Sequence, residues 1–247
     1  MDIKVNIDNY GVSLPLNTYY IGDKSMNFET LALITLYSNY KGITICDLEE
    51  LDCSEAEHHR YLYEKGDNSL YSNMADMEKL SKNKRRNIKR DIKKLTECNN
   101  KVVEICKDKD GNIYYKINPY ANDEEGTKMK GFVTIDSRML QYLIHVGNSN
   151  VIKTYCAIKI LLWDNKEKCY IQRVLTRDFL LKFIGLSNCE KNLQQMTDIL
   201  KSLIANGFIK RERYIHQDAI NGEIITKDTY KYELMTTQQW LDFYKKL

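Results

Sequence analysis

Positive charge is concentrated in residues 79–94. Nine of these sixteen residues are Lys or Arg and one, Asp91, is acidic, which gives the segment a net charge of +8. The whole chain carries only +3, so the remaining residues sum to −5 and the charge is local. Ammonium and guanidinium groups at this density bind anions, above all the phosphates of nucleic acid.

The basic segment has the spacing of a helix with two different sides. At about 100° per residue, one side holds Ile88, Ile92 and Leu95, with Lys84 in line with them. An α-helix fits the major groove of B-DNA, where Arg recognises guanine and Asn recognises adenine. The side opposite the apolar stripe is basic and amide-bearing, and consists of Lys82, Asn83, Arg86, Lys89, Arg90 and Lys93.

Recognition helices enter the groove with their N-terminal residues closest to the bases. The sequence therefore predicts base contacts from Lys82, Asn83 and Arg86. It predicts phosphate contacts from four further residues, namely Arg85, Lys89, Arg90 and Lys93.

Alternatives to nucleic-acid binding could also account for the charge. An ordinary solvated helix face interleaves both signs to gain i,i+4 pairs, whereas this segment has a single acid. An acidic protein surface or a membrane would also neutralise the charge. A helix lying on a membrane would need Trp, Phe or several Leu on its apolar side, and this one offers two isoleucines and one leucine.

The usual signatures of catalysis are missing from the sequence. There is no G-x-x-x-x-G-K-[ST] motif for nucleoside triphosphates, and the four histidines form no metal-binding triplet. The spacing of Cys46, Cys53, His58 and His59 matches no zinc motif. The D-K-D-G-N segment at 108–112 has no distal glutamate for calcium, so a turn accounts for it better. We expect no enzymatic activity, no cofactor and no metal.

The elements around the basic segment form a pattern. A helix is predicted over 26–40, with Asn27 as its N-cap, and a short helix over 74–80. The basic helix follows, with Ser81 as its N-cap, and ends near Glu97. Two β-rich runs then flank Asp110-Gly111, a strong signal for a two-residue hairpin turn. Residues 118–131 are polar and breaker-rich and are predicted to be a linker.

After the linker the pattern begins again. Helices are predicted over 150–163, over 177–184 between Thr176 and Gly185, and over 187–206, with Gly207 as a left-handed C-cap. A hairpin with its turn at residues 221–222 and a short capped helix over 236–247 follow. An offset of 108 places Ile88 on Met196, Ile92 on Leu200 and Leu95 on Leu203, although few residues are identical.

The segments LSKNKRRNIKRDIKKL and LTRDFLLKFIGLSNCEKNLQQMTDILKSLIANGFIKRER resemble winged-helix DNA-binding modules. Their tandem arrangement is similar to plasmid and phage replication initiators of the winged-helix type and to the N-terminal modules of DnaD-like primosome proteins. The resemblance implies an α+β fold of two winged helix-turn-helix modules, 1–120 and 130–247. A long acidic insert over 41–73 departs from that pattern.

The second module has a weaker charge. Its predicted recognition helix buries Leu193, Met196, Leu200 and Leu203, and its basic residues lie in the hairpin that follows. Either it reads DNA with less phosphate affinity, or it is a dimerisation module that kept the fold. The residues that would contact DNA are Lys191, Gln194, Gln195, Lys210, Arg211 and Arg213.

The sequence thus predicts a non-enzymatic protein that binds double-stranded DNA, and the resemblance implies initiation of plasmid or phage replication at an origin. The alternatives are a transcriptional regulator on an operator, and a replisome adaptor whose basic helix grips an acidic protein. Self-association and contacts with replisome proteins stay open. The sequence has no apolar membrane span, and its number of cysteines, seven, is odd. Both features favour a cytoplasmic protein without membrane contacts.

Overall fold

The computed structural model of this chain describes residues 11–15, 26–36, 70–72, 85–97, 102–107, 113–117, 120–122, 128–130, 132–220 and 223–245. The fold is α+β, with helices and small antiparallel sheets. Two compact units divide within one helix, between Ile152 and Lys153. None of the helices in the described ranges is long and apolar enough to cross a bilayer.

The first unit is built around a helix that is buried on all sides. This helix, α1 (Phe28–Leu36), contacts two other helices, α2 (Arg85–Glu97) and α3 (Ser137–Val146). Every residue of α1 is buried, as expected of a helix without a polar face. Asn27 caps it as predicted, because its Oδ1 accepts hydrogen bonds from the amides of Glu29 (3.0 Å) and Thr30 (3.2 Å).

In the described part of the first unit, seven strands form three small sheets. A strand β1 (Gly11–Pro15) pairs with β7 (Phe132–Asp136). A short strand β2 (Leu70–Ser72) pairs with β4 (Ile113–Ile117), which also pairs with β3 (Val103–Lys107). The last pair is β5 (Tyr120–Asn122) with β6 (Lys128–Lys130). The stretch predicted as a linker therefore contains a pair of strands. The predicted limits of the two modules stay predictions.

The second unit contains most of α4 (Ser149–Leu162), followed by α5 (Arg177–Phe183), α6 (Glu190–Ala205) and α7 (Thr237–Tyr244). Its strands are β8 (Trp163–Asp164), β9 (Cys169–Tyr170), β10 (Arg173–Val174), β11 (Ile209–Ile220) and β12 (Glu223–Leu234). The sheet joins β10, β12 and β11 in that order. The helices and the β11–β12 hairpin match the predicted second pattern, whereas the β8–β9 pair and β10 were not predicted.

The two larger sheets have the same order of strands. In each, a short strand pairs with the second strand of a later hairpin, which gives β2-β4-β3 in one unit and β10-β12-β11 in the other. A helix directly precedes each hairpin, α2 in the first unit and α6 in the second. The helix-then-hairpin part of the predicted repeat is therefore present in both units. The short strands were not predicted, and the short helix predicted over 74–80 lies outside the described residues.

The two hairpins differ in their connections. Ile220 pairs with Glu223, which leaves the two residues predicted for the turn. Lys107 pairs with Ile113, so five residues separate the paired ends and the register is centred on Asp110. A two-residue turn at 110–111 would instead place Lys107 opposite Tyr114, so that prediction is wrong. The Asp-Gly signal correctly located the hairpin but not its register.

Aromatic side chains fill the core of the second unit. The ring of Phe208 lies 5.3 Å from that of Tyr155 and 6.0 Å from that of Trp240. The Trp240 indole N–H donates to the carbonyl of Asn206 at 3.2 Å, which ties α7 to the end of α6. The predicted cap of α7 is confirmed, since Thr236 and Gln239 form a reciprocal capping box.

The cysteines of the second unit differ in chemical reactivity. Burial raises the pKa of the Cys156 thiol to about 12, against a smaller opposing effect of the nearby Lys159 ammonium. Because the thiolate is the nucleophile, a raised pKa suppresses alkylation at every pH below it. We expect a brief iodoacetamide pulse at mildly alkaline pH to label the exposed Cys169 and Cys189 and to spare Cys156 until urea unfolds the unit. Peptide mass spectrometry measures the labelling, and equal labelling of all three native thiols would contradict the burial of Cys156.

Candidate nucleic-acid interface

The exposed side of α2 is basic. Lys89, Arg90, Lys93 and Lys94 are exposed, and the side chains of Arg90 and Lys93 are 61% and 71% accessible. Glu97 is the exposed acid at the end of the helix, and its Oε1 lies 3.7 Å from the Lys93 ammonium. Three of the predicted phosphate contacts, Lys89, Arg90 and Lys93, therefore share one solvent-facing surface.

The opposite side of α2 packs into the first unit. Ile88, Ile92 and Leu95 are buried as predicted, and Asp91 is buried with them. The single acid of the basic segment is thus withdrawn from solvent, and it touches the exposed surface only through Arg90. Its Oδ2 accepts a hydrogen bond from Asn27 Nδ2 at 2.6 Å, and its Oδ1 lies 3.2 Å from Arg90 Nε.

The first part of the basic segment is only partly described. Lys82 and Asn83, two of the three predicted base contacts, lie outside the described residues, as does the predicted cap Ser81. Arg85 and Arg86 form the first turn of α2, and only their backbone is described. The base-reading part of the prediction therefore stays a prediction.

The exposed side of α6 is close to neutral, as the sequence predicted. Lys191 and Gln194 are exposed and Gln195 is half-buried. The Gln194 amide donates to Asp198 Oδ1 at 3.1 Å, one helical turn further on. The four charged residues of α6 are all exposed and balance one another, since Glu190 and Asp198 oppose Lys191 and Lys201. Met196, Leu200 and Leu203 are buried as predicted, and so is Ile199. Leu193, which was also predicted to be buried, is only half-buried, because it lies near the exposed start of the helix.

The basic residues at the root of the β11–β12 hairpin do not all share a face. Side chains alternate along a strand, so Arg211 and Arg213 lie on one face and Lys210 on the other. Lys210 lies opposite Glu233 in the strand register, whereas the guanidinium of Arg211 lies 4.7 Å from the centre of the Tyr230 ring. The structure therefore brings Arg211 and Arg213 together and separates Lys210 from them.

Arg177, in the first turn of α5, belongs to the same surface and was missed in the sequence. Its Nη1 donates to Thr197 Oγ1 on α6 at 2.9 Å. Both Arg177 and Arg211 lie close enough to Tyr232 to lower the pKa of its phenol, although burial dominates and raises that pKa. A lone Arg at a helix start carries no signal in sequence, because its closeness to Thr197 and Tyr232 depends on tertiary packing.

Neither a metal cluster nor a known family adds to this surface. Within the ranges that the structure describes, no three His, Cys, Asp or Glu side chains come together in a way that could hold a metal ion. No protein-family profile, curated protein or solved structure shows significant similarity to the chain. The candidate interface therefore depends on geometry and charge alone.

Proposed function

We propose that the protein binds double-stranded DNA through two winged-helix modules, with α2 and α6 as the recognition helices. The order of elements supports the fold assignment. In each unit a short strand, a helix and a hairpin follow one another, and the short strand pairs with the second strand of the hairpin. This is the arrangement of a winged helix, in which the hairpin is the wing and the helix before it enters the major groove.

The observation that carries the proposal is the exposed surface of α2. With Asp91 buried, the solvent-facing residues from Lys89 to Lys94 are all cationic. Like charges on one helix face repel one another, and no apolar burial compensates an exposed Lys or Arg. Binding of an anionic partner offsets that repulsion. When the partner is DNA, the release of its counterions adds a favourable entropy of binding.

The second unit adds contacts of a different kind. Its recognition helix offers Lys191 and Gln194 with little net charge, while Arg177, Arg211 and Arg213 supply guanidinium groups from α5 and the wing. Guanidinium forks bind phosphate oxygens with two hydrogen bonds each. The first module thus anchors the protein on the DNA backbone, and the second contributes amide and Arg contacts suited to recognition.

For the biological role we propose initiation of plasmid or phage replication at an origin. Two recognition helices on one chain suit a repeated or palindromic site, which origins provide. The test is to select bound fragments from a genomic duplex pool at rising salt and to sequence them. Fragments that cluster at a replication origin support this role. Fragments that cluster upstream of genes would identify an operator-binding regulator, and no salt-sensitive binding at all would contradict DNA binding.

A further inference from the structure

We propose that Asp91 is a positioning residue for DNA binding, and that it holds the Arg90 guanidinium ready for a phosphate. This inference rests on the DNA-binding function proposed above for α2. Asp91 sits beneath the basic surface, with 3% of its side chain accessible, and it contacts Arg90 and Asn27 at the same time.

Packing alone does not account for an acid at this position. Under the offset of 108 that aligns the two recognition helices, Asp91 corresponds to Ile199, and both residues are buried. In α6 the equivalent position of the buried stripe is therefore occupied by an apolar side chain. Burying a carboxylate costs several kcal/mol of desolvation, and apolar replacements of buried ion pairs are often neutral or stabilising. The acid in α2 thus has a role beyond core formation.

The first contact fixes the rotation of α2. Asn27 uses its Oδ1 to cap α1 and its Nδ2 to donate to Asp91 Oδ2 at 2.6 Å. One side chain therefore links the start of the central helix to the middle of the basic helix. Since α1 is buried on all sides, this link adds a directional contact to the apolar packing of Ile88, Ile92 and Leu95 that turns the basic side of α2 to solvent.

The second contact restrains Arg90. Its Nε lies 3.2 Å from Asp91 Oδ1, while 61% of the side chain stays accessible. Holding Nε by a carboxylate leaves the two terminal amines of the fork for an incoming phosphate. An Arg side chain that is already ordered loses less rotamer entropy on binding, so the restraint increases affinity.

The test compares the signs of two substitutions on the same helix. Asp91→Asn removes the buried charge, and Glu97→Gln removes an exposed one. Simple electrostatics predicts that either change strengthens binding to DNA, because each removes a negative charge from a phosphate-binding helix. Positioning predicts that Glu97→Gln leaves affinity unchanged or raises it, and that Asp91→Asn weakens it by roughly three- to tenfold, or about 0.6 to 1.4 kcal/mol.

A double-mutant cycle then shows whether Asp91 acts through Arg90. Fluorescence anisotropy with a short labelled duplex of mixed sequence gives the affinities of the wild type, Asp91→Asn, Arg90→Gln and the double variant. Thermal melts identify a temperature at which all four proteins are folded, and the affinities are measured there. We expect Asp91→Asn to have little further effect in the Arg90→Gln background. We also expect each single variant to flatten the slope of log K against log salt by up to about 0.9, the share of one phosphate.

The outcomes separate this inference from the proposed function. If Asp91→Asn strengthens binding as Glu97→Gln does, or weakens it equally with and without Arg90, the positioning role is wrong while DNA binding stands. If the wild-type protein shows no salt-dependent binding, both proposals are wrong.

Discussion

Replacing Lys89, Arg90 and Lys93 together with glutamine is expected to weaken DNA binding on the order of 100-fold at low salt. This factor corresponds to roughly 1 kcal/mol for each lost contact between a cation and a phosphate. All three side chains are exposed on one side of α2, so their loss should leave the core of the first unit intact. The slope of log K against log salt should become less steep by about 2.7, at about 0.9 for each phosphate.

A matched variant controls for net charge. Lys166, Lys168 and Lys245 are exposed and lie outside the proposed interface, so their replacement with glutamine removes the same three charges. Anisotropy titrations at several salt concentrations compare the two triple variants. A control that loses as much affinity as the α2 variant would show that overall charge, and no particular helix, determines binding.

Replacing Gly207 with alanine is expected to destabilise the second unit by about 2 to 5 kcal/mol, for two separate reasons. Gly207 ends α6 in the left-handed conformation, with φ of 71°, where an L side chain is strained. A Cβ there would also lie 2.5 Å from Cδ1 of Phe243, too close for any real contact. Urea unfolding followed by fluorescence measures the effect, because Trp240 is buried beside this turn.

Gly185 provides the matched control. It ends α5 with φ of 76°, and the hydrogen bonds at the ends of the two helices are equivalent: Leu186 N–H to Leu181 O, and Phe208 N–H to Leu203 O, each at 2.9 Å. Gly185→Ala should therefore report the conformational cost alone, roughly 1 to 2 kcal/mol. Removing the ring by Phe243→Ala should bring the cost of Gly207→Ala down to the same value. An unchanged cost in that background would contradict the steric contribution of the ring.

The helix ends could be predicted from sequence because their chemistry is local. Asn27, Thr176 and Thr236 each place a side-chain oxygen within three residues of the amides that it caps. Gly185 and Gly207 occur where only glycine adopts a positive φ without strain. These signals depend on neighbouring residues alone, so they survive without any knowledge of the tertiary fold.

Long-range pairing could not be predicted in the same way. The strands β1 and β7 pair Gly11 with Asp136, and nothing in either short segment identifies the other as its partner. Strand alternation alone places Lys210 on the opposite face from Arg211 and Arg213. The sequence prediction missed this because it grouped the three residues by charge. Counting charges takes no account of strand geometry, whereas along a strand odd- and even-numbered residues face opposite sides.

The buried acid of α2 could have been found by a stricter use of periodicity. Positions 88, 91, 92 and 95 follow the i, i+3, i+4, i+7 spacing of a buried stripe. An acid at the second of these positions must have partners inside the protein, because an unpaired buried carboxylate is too costly. Its actual partners, Asn27 and Arg90, still required the structure, since Asn27 lies 64 residues away.

The β11–β12 hairpin has a consequence for the behaviour of the protein at high concentration. Its strands pair over twelve residues each, about 40 Å, whereas β10 covers β12 only at Tyr232 and Lys231. Among the described residues, the part of the β11–β12 hairpin beyond β10 therefore has open edges on both sides. Such edges accept strands from other chains and so promote aggregation. In the sequence, Asp218, Glu223, Lys227 and Asp228 interrupt the isoleucines of this ribbon, and charges of this kind act as gatekeepers against that association.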